Sequence, residues 1–237
     1  MKRSLYAFLL ALTTLTACDD GQIPEKQAEF LEGRVVKFNG KLTGLTNWAN
    51  GYSVAIAGFD GNDEYAIISK AIPDHTDGDI TIVLSNINNQ VTEVQLCVLD
   101  RLRRHVLTFD KIEMQQTNDT VYINVGERNV SMFNAIQQNY LNTTCANCHG
   151  ASNRAAAGLY LTEGRSYAAM VGVPSVKIDT LKIVEPGNAE KSLLHIILHQ
   201  DNVEGISMTH RDLVSEKNEQ SILPLIDKWI DNGAKKD

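Results

Sequence analysis

The stretch VSMFNAIQQNYLNTTCANCHG, residues 130–150, is where the periodicity of the chain changes. Phe133, Ile136, Tyr140 and Leu141 recur at helical spacing, and Ser131 stands where a helix N-cap belongs. The predicted helix runs straight into Cys145-Ala146-Asn147-Cys148-His149. Two cysteines two residues apart with a histidine directly behind them open three chemistries: a dithiol redox pair, part of a zinc site, or a haem attachment site.

Upstream of this point the apolar residues fall into short β-like runs. RVVKF, YSVAIAGF, YAIISKAI, DITIVLS, EVQLCVLD, HVLTF and TVYINV are rich in Val, Ile, Thr and Tyr, and clusters such as DGND, HTDGD and NINNQ separate them. Strands at this spacing predict an antiparallel, immunoglobulin-like β-sandwich over residues 32–128. Downstream, GRSYAAMVGV, NAEKSLLHIILHQ and SILPLIDKWIDNGAKKD read as further amphipathic helices. In the last, Ile222, Leu225, Ile226, Trp229 and Ile230 form one stripe, Ser221 is the expected cap, Pro224 is tolerable near the start, and Gly233 is the expected stop. The expectation is therefore two domains, an all-β sandwich and an all-α unit over residues 129–237.

The N-terminus speaks for the compartment. Lys2 and Arg3 precede an apolar run over residues 5–15 that is too short to span a bilayer and fits a secretory leader over residues 1–17. The leader ends in Leu15-Thr16-Ala17-Cys18, which resembles the lipobox of bacterial lipoproteins. That resemblance implies lipidation of Cys18, a tether over residues 18–31, and a periplasmic protein anchored to a membrane by lipid. Asp19 resembles an inner-membrane retention signal, with the outer membrane as the other destination.

The 237 residues carry a formal net charge of −7, and loss of Lys2 and Arg3 with the leader takes it two units lower. Such a chain is a poor match for nucleic acid, whose phosphates demand basic patches, and suits a basic protein partner. Of the four cysteines, Cys97 stands alone in a strand-like run and reads as a buried, inert thiol. His75 and His105 also stand alone, and LRRH is a small basic cluster at an expected turn.

The helical context of Cys145 and Cys148 disfavours the dithiol reading, which expects a βαβ setting. A zinc site needs four ligands. His195 and His199 share one helix face and could join the cysteines, but the gap exceeds forty residues and His149 would be surplus. The haem reading uses every residue of the motif: two thiols for two vinyl groups, and the next imidazole for the iron.

From residue 129 onward the pieces CANCHG, AGLYLTEGRSYAAMVGV, VEPGNAEKSLLHII, GISM and LIDKWIDNGA appear in an order that resembles small bacterial class I-type cytochrome c domains, including the planctomycete-type family. The resemblance implies a cytochrome c fold and one covalent haem c. Cys145 and Cys148 would be the thioether attachments, His149 the proximal ligand and Met208 the distal one. The family usually places proline after this methionine, whereas here the order is Met208-Thr209-His210, which makes His210 the competing distal ligand. Ala189 replaces another frequent proline, and Met170 reads as core.

With both axial positions filled, such a protein is no enzyme. It would carry single electrons between redox partner proteins of the cell envelope, with the sandwich as spacer or docking module. Two other readings stay open: a haem-based sensor whose distal ligand is released, or an accessory protein whose sandwich binds a partner through Trp48 and Tyr52.

Overall fold

The computed structural model describes residues 34–61, 64–74, 77–115, 119–150 and 154–237. The expected leader, the expected lipidation at Cys18, the expected tether and His75 lie outside the described residues.

Seven strands come first: β1 (Val35–Thr43), β2 (Tyr52–Phe59), β3 (Ile68–Ala71), β4 (Gly78–Ser85), β5 (Glu93–Asp100), β6 (His105–Glu113) and β7 (Thr120–Asn129). They form two sheets, of order β4-β1-β7 and β3-β2-β5-β6. Along β4 every second residue is buried, the pattern of a sheet with one wet face. Phe38, Ile82 and Ile123 from the smaller sheet meet Val54, Ile56, Val94 and Leu96 from the larger one in a core between them. β2 and β5 are buried on nearly every residue, because Ala55, Ala57, Phe59, Cys97 and Leu99 pack on the opposite face with Ala66.

The expected immunoglobulin-like topology is not what forms. That arrangement would place strands 1-2-5-4 in one sheet and 3-6-7 in the other. Here β1 lies between β4 and β7, and β1 and β7 run parallel, with a register shift between Asn39 and Lys41. The two-sheet division depends on which distant strands pair, and local alternation is silent on that.

The expected all-α cytochrome c fold of the C-terminal half is also overturned. The regular structure is led by the two sheets, and residues beyond 130 form only short helical pieces. These are α1 (Met132–Ile136), a π-helix (Gln137–Cys145), α2 (Ala146–His149), α3 (Ser166–Met170), α4 (Leu193–His199), α5 (Glu216–Gln220) and α6 (Ile222–Asp231). Turns and isolated bridges such as Val171 with Val184 and Lys182 with Ser192 join them. No described helix is long and apolar enough to cross a membrane.

The single helix expected after Ser131 is divided for a local reason. Ser131 does cap α1, accepting from the Asn134 amide at 3.3 Å. Beyond it, side chains compete for the helix carbonyls: Asn139 Nδ2 donates to Ala135 O, Thr143 Oγ1 to Asn139 O and Asn147 Nδ2 to Thr143 O. The chain widens, and the Ala146 amide reaches five residues back to Leu141 O. In α6 the expected stripe is buried and Gly233 follows the last turn. Ser221, however, donates to Lys217 O instead of capping α6.

The short helices share a core with the sandwich. Val98, Val106 and Leu107 of β5 and β6 lie in one buried cluster with Phe133, Tyr140, Met170, Leu194 and Trp229. Trp48 and Tyr52 pack against this cluster, and Trp48 Nε1 donates to Val130 O at 3.0 Å, so the pair forms no exposed platform.

Candidate functional site

The widened helix and α2 carry the cysteine motif to the rim of a cavity of about 510 Å³, a usual size for a ligand site. Cys145, Cys148 and His149 border it on one side, and Ile206, Met208 and His210 on another. The wall is otherwise mainly apolar, with Leu161, Met170, Ile183, Leu194, Ile197 and Leu198. Met170 is thus both fully buried core and cavity wall.

His149 and His210 are held alike. Nδ1 of His149 lies 3.0 Å from Ala156 O, and Nδ1 of His210 lies 2.9 Å from Met208 O. A carbonyl oxygen can only accept, so each Nδ1 carries a proton and Nε2 is the nitrogen left to face a ligand. The ring centres are 6.4 Å apart and the planes differ by 22°. Met208 borders the same cavity with 46% of its surface exposed. The cavity thus brings together Cys145, Cys148, His149, Met208 and His210, all of them named from the sequence.

Cys145 lacks the depressed value of a redox-active thiol. Burial pushes the Cys145 thiol up to about 12, so it stays protonated, whereas redox-active cysteines have depressed values. Tyr140 is buried beside Cys145 at the cavity. Burial raises its phenol, and its hydroxyl has no partner among the described residues. A buried hydroxyl of this kind has capacity to donate to a bound group. Directly after the motif, a Cβ on Gly150 would stand 2.3 Å from Ala146 O, which is why only glycine fits there.

His195 and His199 do not border this cavity and do not join the cysteines. They turn instead to Asp227 of α6, a residue the sequence pattern did not single out. The basic LRRH cluster is structural: Arg103 donates to Ala66 O, Arg104 pairs with Asp100 at 3.1 Å, and His105 is buried against Phe59.

No protein-family model matches the chain, and neither the curated proteins nor the solved structures contain a match to it.

Proposed function

We propose that the chain binds one c-type haem in this cavity and passes single electrons, as a protein of the bacterial cell envelope tethered through Cys18. The observation that carries this reading is the convergence of Cys145, Cys148, His149, Met208 and His210 on the lining of one mainly apolar cavity. The reading rests on the site and not on the fold.

The residues present fit the group. Cys145 and Cys148 would hold it by thioether links, each sulfur joining one vinyl carbon while its hydrogen goes to the other, with nothing oxidised. His149 would hold the iron through Nε2, with Ala156 O fixing its tautomer. Met208, which the resemblance implies, and His210 both border the cavity, and either would be the second residue to hold the iron. Tyr140 has an unpaired hydroxyl to offer, and the wall is mainly apolar. Such a haem would supply reversible one-electron chemistry. The acidic chain suits redox partners that present a basic face.

The test is production in a host with c-type maturation, followed by mass and absorption spectra of three proteins. The parent protein should carry covalent haem, low-spin in the ferric state and unaffected by carbon monoxide. Of Met208→Leu and His210→Ala, the one that removes the second ligand should turn high-spin or bind carbon monoxide, while the other stays low-spin. A parent chain without covalent haem defeats the proposal. A long-wavelength methionine–iron band, lost in Met208→Leu, marks Met208 as the ligand.

A further inference from the structure

We infer that His195, His199 and Asp227 form a second site, for a divalent first-row transition cation of the zinc type, on the side of α4 turned away from the cavity.

The two-turn helix α4 sets His195 and His199 four residues apart on one face, with ring centres 4.2 Å apart. Asp227, in α6, meets both: Nδ1 of His195 is 2.7 Å from Oδ1, and Nε2 of His199 is 3.1 Å from Oδ2. One ligand atom from each residue falls within 4.8 Å of the others. Donors that share a tetrahedral ion at roughly 2.0–2.1 Å lie about 3.3 Å from one another. The two measured separations are slightly shorter than that, so a small outward movement of the carboxylate would admit an ion.

Burial and charge are suited to the same end. The side chains keep 22, 33 and 23% of their surface exposed for His195, His199 and Asp227, which leaves an entry path without full solvation. His195 and Asp227 border a depression with Glu190, Lys228 and Asp231, and Asp231 is committed to the Ala189 amide at 3.0 Å. Two imidazoles exclude calcium and magnesium, which take oxygen ligands, and favour zinc, nickel, copper or ferrous iron. Three protein donors leave at least one coordination position to water.

A helix-to-helix clip made by hydrogen bonds alone is the rival account of the same contacts. Both rings can donate to one carboxylate, and α4 would be pinned to α6 without an ion. The two accounts part on what happens when zinc is offered. An ion here would also brace the helix whose other residues, Leu194, Ile197 and Leu198, wall the cavity.

Zinc is titrated into the purified haem-bearing protein against a chromophoric chelator. One zinc per chain should bind with micromolar affinity, and thermal unfolding should move upward with zinc. His199→Gln and Asp227→Asn, which keep hydrogen-bonding groups in place, should each weaken binding by at least about tenfold. Cys145→Ala/Cys148→Ala, which cannot carry thioether-linked haem, should bind zinc as the parent does, so the result stands apart from the fate of the haem reading. Circular dichroism of the zinc-free variants verifies their folding. No micromolar zinc in the parent, equal affinity in the folded His199 and Asp227 variants, or loss that follows the cysteines would overturn the inference.

Discussion

His105 shows what a lone histidine does in this fold. It begins β6 with its ring edge-on to Phe59, centroids 5.4 Å apart, and Nε2 lies 2.8 Å from Thr108 Oγ1. The Thr108 hydroxyl in turn donates to Gln95, so Thr108 accepts from His105 and Nδ1 is the buried nitrogen without a partner. Burial, aided by Lys217, lowers its pKa to about 4. A histidine held below its unfolded value of about 6.5 binds a proton more readily in the unfolded chain. Its contribution is complete above about pH 6.5 and is lost as pH falls through 4, up to about 3 kcal/mol in all. Urea midpoints of the parent should therefore fall between pH 6.5 and 4.5 more steeply than those of His105→Gln. Parallel curves would mean that the ring is already solvated. The cysteine motif was legible at this scale because Cys145, Cys148 and His149 are neighbours in sequence. Asp227 was not, since nothing local marks an aspartate 28 residues beyond His199 as its partner. His210 was weighed only as a competitor, because its distance from His149 exists only in the folded loop.

Among the elements, the strands were the most readable and their pairing the least. Alternating Val, Ile and Thr located β1, β2 and β4, but the parallel contact of β1 with β7 joins residues some eighty positions apart. The π-helix was hidden because Thr143 and Asn139 act on carbonyls one turn back, while the apolar spacing around them still reads as α. One junction couples strand to helix directly. Gly44 follows β1 with φ at +82°, and a Cβ there would lie 2.5 Å from Ser131 Cβ and 2.6 Å from its amide nitrogen. Ser131 is the residue that caps α1, and the carboxylate of Asp77 accepts from the amides of Gly44 and Leu45 at 3.1 and 3.0 Å. Gly44→Ala thus combines a left-handed backbone with a clash against a cap, and should cost at least about 2 kcal/mol. Chemical denaturation should show this as a lower midpoint at unchanged slope. A change below about 0.5 kcal/mol would mean that the β1 end shifts to make room.

At the scale of the whole molecule, the sandwich and the short helices are bound into one unit by what they bury together. Val98 pairs with Leu107 across β5 and β6, and both belong to the cluster that holds Tyr140, Leu225 and Trp229. Trp48 and Phe109 pack against this cluster and against the core between the sheets. Polar ties run the same way: Asn232 Nδ2 donates to Asn47 O at 3.0 Å, and Lys235 Nζ to Asn47 Oδ1 at 3.0 Å. Helices as short as α1, α3 and α4 are marginal alone and depend on this packing. The chain should therefore unfold in one cooperative step. Trp48→Phe leaves Trp229 to report on α6, and Trp229→Phe leaves Trp48 to report on the sandwich end. The two fluorescence transitions should coincide with each other and with far-ultraviolet circular dichroism once each variant's own midpoint is allowed for. Leu107→Ala, in β6, should lower the Trp229 transition although it lies outside the helical half, by about 2–5 kcal/mol. A Trp229 transition that ignores Leu107→Ala, or one that separates from the sheet signal, would show that the helices hold themselves together. The cavity would then owe its shape to them alone and not to the sheet beneath.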